Sequence, residues 1–329
     1  MELLKPSANL RNIDKLTALW ALSESGLGGI LHAFQIPFSG FFLAAFAILV
    51  IRLIAFYSKN PFRSILKATF LVLLIKAAVS PQSPPMAYLA VAFQGFSGAI
   101  IFQIVKKQSF ATLFHAVFSL METALQKLLV LWIFFGTTFF KAFDDFSSEV
   151  FKNLNLNINN FSSWIIVIYL LAYFTWALYV AYLSINVPNN LSRRQLKFDA
   201  EEVVLPQVSA AKKGSYFMKM LIPFLLIFVI YFIALFTHSE ILWSSFYRTL
   251  FMLFVWWLAS PLIRSALIWW LNKQREHYRQ DFSTIFILLS KTQNQIKPAM
   301  AMAKKDAKGI KVYREFILNL LALSLRNND

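Results

Sequence analysis

Long apolar runs recur along most of this chain, and several reach the roughly 18 to 25 residues that cross a hydrocarbon layer about 30 Å thick. A run of that length satisfies its own backbone hydrogen bonds as a helix. The runs are Leu16–Leu31, Phe41–Tyr57, Ile65–Val79, Met86–Val105, Phe110–Thr138, Trp164–Ile185, Met220–Thr237 and Phe246–Leu271. They predict an all-α, polytopic membrane bundle of about eight transmembrane helices. A content of 58% hydrophobic and 15% charged residues, with a mean hydropathy of +0.58, fits a bilayer better than water as solvent. No small-residue cleavage site follows a short apolar core near Met1, so the first run is read as retained.

The basic residues give the orientation, because Lys and Arg accumulate on cytoplasmic loops. Lys5, Arg11 and Lys15 fall on one side, as do Lys59, Arg63 and Lys67, then Lys106 and Lys107, then Arg193, Arg194, Lys197, Lys212, Lys213 and Lys219. The alternate connections are neutral or acidic: Gln35–Gly40, Ser80–Pro85, Lys141–Asn160 and the stretch around Glu240. Both termini are therefore expected in the cytoplasm, and a bacterial inner membrane suits the pattern. The net charge of +16 does not indicate nucleic-acid binding, because the basic residues lie between apolar runs rather than in a basic domain.

A polar stretch at Asn186–Ser215 divides the chain. The expected organisation is a six-helix bundle over 1–187, a cytoplasmic linker over 188–218, two further spans over 219–271, and a basic tail over 272–329. Ile285, Leu288, Leu289, Phe316, Ile317, Leu320, Leu321 and Leu323 predict amphipathic helices in the tail, broken near Pro298 and Gly309. Such helices suit either an anionic lipid surface or a protein partner.

Ionisable and amide residues inside spans are costly, at about 2.5 to 3.5 kcal/mol for a charge, and so mark candidate sites. Here they are Glu24, His32, Arg52, Lys76, Gln94, His115, Glu122, Gln126 and Lys127. Arg52, near the inner end of its span, is expected to snorkel. His115, Glu122 and Gln126 share one helix face at about 100° per residue. Lys76, Gln94 and Glu122 fall at a similar depth, which predicts a Lys76–Glu122 ion pair completed by Gln94. The same groups also suit a purely structural network tying helices together. Glu24 sits among Ser23, Ser25, Gly26, Gly28 and Gly29, which leaves room for a backbone or a solute.

The chain has no Cys, no Walker A motif, no H-E-x-x-H pair and no G-x-S-x-G motif. Neither an enzyme nor a metal or cofactor site is expected.

With its stretches LGGILHAFQIPFSG (Leu27–Gly40) and KAAVSPQSPPMAYLAVAFQGFSG (Lys76–Gly98), the chain from Met1 to about Val187 resembles the substrate-capture (S) components of energy-coupling-factor transporters. The resemblance implies capture of a small, vitamin-like solute beneath the outer loops, with Gln35, Lys76, Gln82, Tyr88, Gln94 and Glu122 as binding residues. It also implies a membrane coupling protein and ABC-type ATPases in other chains. Ala21, Ser25 and Gly29 would supply the small-residue contact with that coupling protein, although the family's alanine pair is absent. The competing expectation is a non-transporting membrane scaffold whose cytoplasmic tail binds another protein.

Overall fold

The computed structural model describes residues 8–33, 39–81, 83–153, 161–200, 265, 276–309 and 311–326. Among these the chain is helical, without strands: α1 (Ala8–Leu22), a π-helical turn (Ser23–Leu27), α2 (Gly28–Ala33), α3 (Ser39–Tyr57), α4 (Pro61–Val79), α5 (Pro85–Ile104), α6 (Gln108–Asn153), α7 (Phe161–Ala200), α8 (Glu276–Asp306) and α9 (Lys311–Leu325). Four segments are long and apolar enough to cross a membrane: Gly40–Tyr57, Pro85–Ile104, Gln108–Ile133 and Phe161–Leu191. They coincide with four of the expected spans.

The first expected span is not among them. Its residues are divided between α1, the π turn and α2, with Glu24 at the break. Nor is α4, which carries Arg63, Lys67 and Lys76 within 19 residues. The expected spans Met220–Thr237 and Phe246–Leu271 lie outside the described residues.

Two compact units are present. One comprises Gly40–Thr69 and Pro85–Pro188. Here α3, α6 and α7 meet through Ala44, Ile48, Ala116, Leu120, Ala124, Tyr173, Ala177, Val180 and Ala181. Ala177 and Ala181, four apart on α7, and Ala116 and Ala124, eight apart on α6, let the backbones approach closely, the packing that favours association of helices in lipid. Trp176 Nε1 donates to the Phe41 carbonyl at 3.2 Å, and the two rings stack 4.6 Å apart. Glycine is required where α5 meets its neighbours: a Cβ on Gly95 would lie 2.0 Å from Thr69 Oγ1, and one on Gly98 would lie 2.9 Å from both Ile51 and His115. The outside of this unit is apolar, with Phe110, Phe114, Phe118, Leu125, Leu129 and Trp132 exposed along α6 and Trp164, Ile168, Leu171 and Phe174 along α7. Large side chains of this kind at helical spacing form a lipid-type surface.

α6 breaks at Gly136, where φ is 62° and ψ is −161°. The chain beyond it remains helical to Asn153, so Lys141–Asn153 is helix where a loop was expected, and residues 154–160 lie outside the described residues. Its polar face has a local use. Asp144 accepts from Ser162 N at 2.6 Å and from Ser162 Oγ at 2.8 Å, which caps the start of α7 from outside that helix.

The other unit comprises residues up to Ser39, Phe70–Pro84, and the chain from Asn189. α4 thus contributes its residues through Thr69 to one unit and the remainder to the other. α1 is buried around most of its circumference, with Leu16, Ala18, Leu19, Trp20 and Ala21 each at most 1% exposed. It packs against α8 and α9, which form a hairpin turning at Gly309, where φ is 64°. Leu318 to Leu325 are all buried. Lys15 Nζ donates to the Arg326 carbonyl at 3.0 Å, Ser324 Oγ to Gln295 Oε1 at 2.7 Å, and Arg194 binds both Asn319 and Glu315. Two expectations are corrected here. α7 continues through Pro188 to Ala200 where a linker was expected, and α8 continues through Pro298, so that the break comes only at Gly309. In each helix the proline removes one backbone donor without ending the helix.

Candidate functional site

The unit that holds α1 and Phe70–Pro84 contains a buried ion pair. Lys76 Nζ lies 2.8 Å from Glu24 Oε2 and 3.4 Å from the Glu24 carbonyl oxygen. The lysine side chain is wholly buried and the glutamate nearly so, at 0% and 4% exposure. This corrects the expected Lys76–Glu122 pair. The π turn explains how Glu24 comes to be there. Its wider coil, closed by Gly28 N–H to the Ser23 carbonyl, interrupts the α-helical register in a segment of small residues. π turns of this kind concentrate at functional sites.

Ser80 and Ser83 extend this polar region from the end of α4. Ser80 Oγ donates to the Lys76 carbonyl at 3.2 Å, Ser83 N donates to the Ser80 carbonyl at 3.1 Å, and the two hydroxyls are 3.4 Å apart. Both serines are buried, so the expected outer loop Ser80–Pro85 is a folded turn. Pro85 begins α5, where a missing donor costs nothing. Ala21, Ser25 and Gly29 are also buried, and Ser25 Oγ donates to the Ala21 carbonyl at 2.5 Å. The chain itself covers the row expected to face a coupling protein.

The unit of Gly40–Thr69 and Pro85–Pro188 contains a separate polar tract where α5 packs against α6. His115, Ser119 and Gln94 are buried there. His115 Nε2 donates to the Gln94 carbonyl at 2.9 Å, and its ring meets the edge of Phe102. Gln126 Nε2 donates to the Met86 carbonyl at 3.1 Å. His115 Nδ1, Ser119 Oγ, Glu122 Oε2 and Gln94 Oε1 have no hydrogen-bond partner among the described residues. Tyr88 is half-buried on α5. Arg52 does not simply reach for the interface: it is buried, and its Nη1 donates to Gln108 Oε1 at 2.6 Å.

Of the residues expected to bind a ligand, Lys76 therefore belongs to one unit and Tyr88, Gln94 and Glu122 to the other. Gln35 and Gln82 lie outside the described residues, as does the side chain of His32. Sequence reasoning missed Ser119, a small hydroxyl that resembles any helix residue in a span. It also missed the partner of Glu24, although Glu24 and Lys76 were both marked as charges inside apolar runs. No cluster of three or more His, Asp or Glu side chains suited to a metal occurs among the described residues. Compared with protein-family models, curated proteins and solved structures, the chain matches none.

Proposed function

We propose that this chain is a multi-pass membrane transport subunit of the substrate-capture kind, which takes a small, vitamin-like solute from the external side and relies on separate energising subunits. The observation that carries this reading is the Glu24–Lys76 pair, buried at a π turn among small residues and continued by Ser80 and Ser83. Two charges held in an apolar segment offer complementary groups to a zwitterionic or carboxylate-bearing solute, and an intramembrane charge is by default a functional candidate. In this reading the four membrane-length helices belong to a set of about eight, both termini are cytoplasmic, and Ser80–Pro85 faces outward.

Mass spectrometry of the gently solubilised chain tests it. A co-purifying small molecule that disappears in Lys76→Ala, together with ATPase subunits, is the expected result. Recovery of neither would sink the capture reading. The chain has no Cys, so single introduced cysteines report topology without background. Pro84→Cys, at an exposed position of the same turn, should react with an impermeant reagent from outside, and Lys107→Cys only from inside.

The scaffold reading is favoured by one observation. The docked hairpin of α8 and α9 leaves Lys291, Lys297, Lys304, Lys305, Lys308 and Lys311 exposed, a basic surface available to an acidic partner. In that case the same purification returns a membrane partner without bound solute.

A further inference from the structure

The orphaned groups on α5 and α6 have a common chemistry. His115 Nε2 faces a carbonyl oxygen, so it carries the proton, and in the uncharged ring Nδ1 is left as an acceptor. Gln94 Oε1 and the Glu122 carboxylate oxygen are acceptors as well, and the Ser119 hydroxyl presents lone pairs. His115 and Ser119 are four residues apart and Ser119 and Glu122 three, so the three stand one above another on a single helix face. Gln94 is held beside them by the His115 bond on the facing helix.

The obvious internal donors are engaged elsewhere or misplaced. Gln126 is one turn beyond Glu122, but its amide donates to the Met86 carbonyl. Lys127 is five residues beyond Glu122, about 140° around the helix at 100° per residue. Buried acceptors without donors are costly, and His115, Ser119 and Gln94 are at most 3% exposed. Among the described residues the tract therefore lacks donors for its acceptors.

We propose that Gln94, Ser119 and Glu122 bind a monovalent metal cation, with His115 holding the Gln94 backbone beside them. Oxygen donors dominate the set, which suits a hard ion. Glu122 is its only formal negative charge, so one positive charge neutralises the site, whereas a divalent ion would leave net charge in an apolar surrounding. Gly98 contributes by leaving space for the imidazole ring, because a Cβ there would lie 2.9 Å from His115 Nε2. This site does not depend on the solute-capture reading, since Glu24 and Lys76 belong to the other unit.

Radiolabelled sodium binding and thermal melting of the purified full-length chain test the proposal, with sodium or potassium compared against equimolar choline. Expected are stoichiometric binding of sodium, or its displacement by potassium, and a melting temperature raised by several degrees in the preferred ion. Glu122→Gln should abolish both effects and Ser119→Ala should weaken binding at least about tenfold, while Lys59→Ala, at an exposed position, leaves them intact. If Glu122→Gln does not fold, Ser119→Ala decides alone, because it removes only one hydroxyl. Absence of bound ion and of any melting shift in the native chain overturns the proposal and assigns the tract to water. Binding unchanged in both variants also overturns it. A chain that binds the cation but retains no solute would instead count against the capture reading alone.

Discussion

Removing the Lys76 ammonium leaves the Glu24 carboxylate buried without its cation. Breaking one side of such a pair costs about 3–5 kcal/mol, whereas replacing both partners by apolar groups of similar volume is often neutral. Lys76→Met is therefore expected to lower the melting temperature of the solubilised chain sharply, and Glu24→Leu combined with Lys76→Met to restore most of the loss. If the double variant is no more stable than the single one, the pair is not the main tie between these segments. A second residue-scale prediction concerns Gly95. Its Cβ would lie 2.0 to 2.7 Å from three atoms of Thr69, so Gly95→Ala should cost about 1–3 kcal/mol. Thr69→Ala should recover part of that cost, and equal stability of Gly95→Ala and the native chain in a denaturation series would refute the close approach. The candidate residues were legible because charged and amide groups are rare in apolar runs. Their partners were not, because Glu24 and Lys76 are 52 positions apart in the chain.

Elements follow the apolar pattern closely where a run is unbroken, as in α3 and α5, and depart from it where backbone geometry intervenes. The break in α6 is the clearest case. Gly136 occupies a conformation essentially restricted to glycine, yet nothing lies within 4 Å of where its Cβ would be. Gly136→Ala should therefore cost about 1–3 kcal/mol through backbone strain alone. Denaturation of the solubilised chain measures this, and a change under about 0.5 kcal/mol would mean that the break is not enforced. The first expected span illustrates the opposite failure. Its residues are apolar enough to read as one helix, but the π turn around Glu24 divides it, and a five-residue change of helical coil leaves no periodic signature. Proline misled in the other direction. Pro188 and Pro298 both read as breaks, and α7 and α8 continue through them.

Within the unit that holds α1, α8 and α9, segments far apart in the sequence are brought together, with α1 packed on α8 and α9 and Lys15 bound to the Arg326 carbonyl. Arg194, on the continuation of α7, holds α9 through Glu315 and Asn319. Hydrogen bonds to charged groups contribute about 1.5–3 kcal/mol each. Arg194→Ala should thus raise hydrogen exchange in Lys311–Leu325 and leave the exchange of α5 unchanged. Unaltered protection of α9 would show that its buried residues, Leu318–Leu325, suffice to dock it. The same docking qualifies the reading of this segment as a free amphipathic tail. Its apolar face was visible in the sequence, but that face has already been used by the chain's own first helix.

Apolar runs of membrane length and the one-sided distribution of Lys and Arg follow from the sequence alone, because partition into hydrocarbon accumulates residue by residue along a segment. Four of those runs are helices that meet the requirement. The identity of the charge that meets Lys76, the burial of Ala21, Ser25 and Gly29, and the set of acceptors left without donors beside α5 were decided by tertiary structure. Each depends on which helices become neighbours and on the rotation of each helix about its axis, and one π turn or one glycine break changes that rotation for every residue that follows.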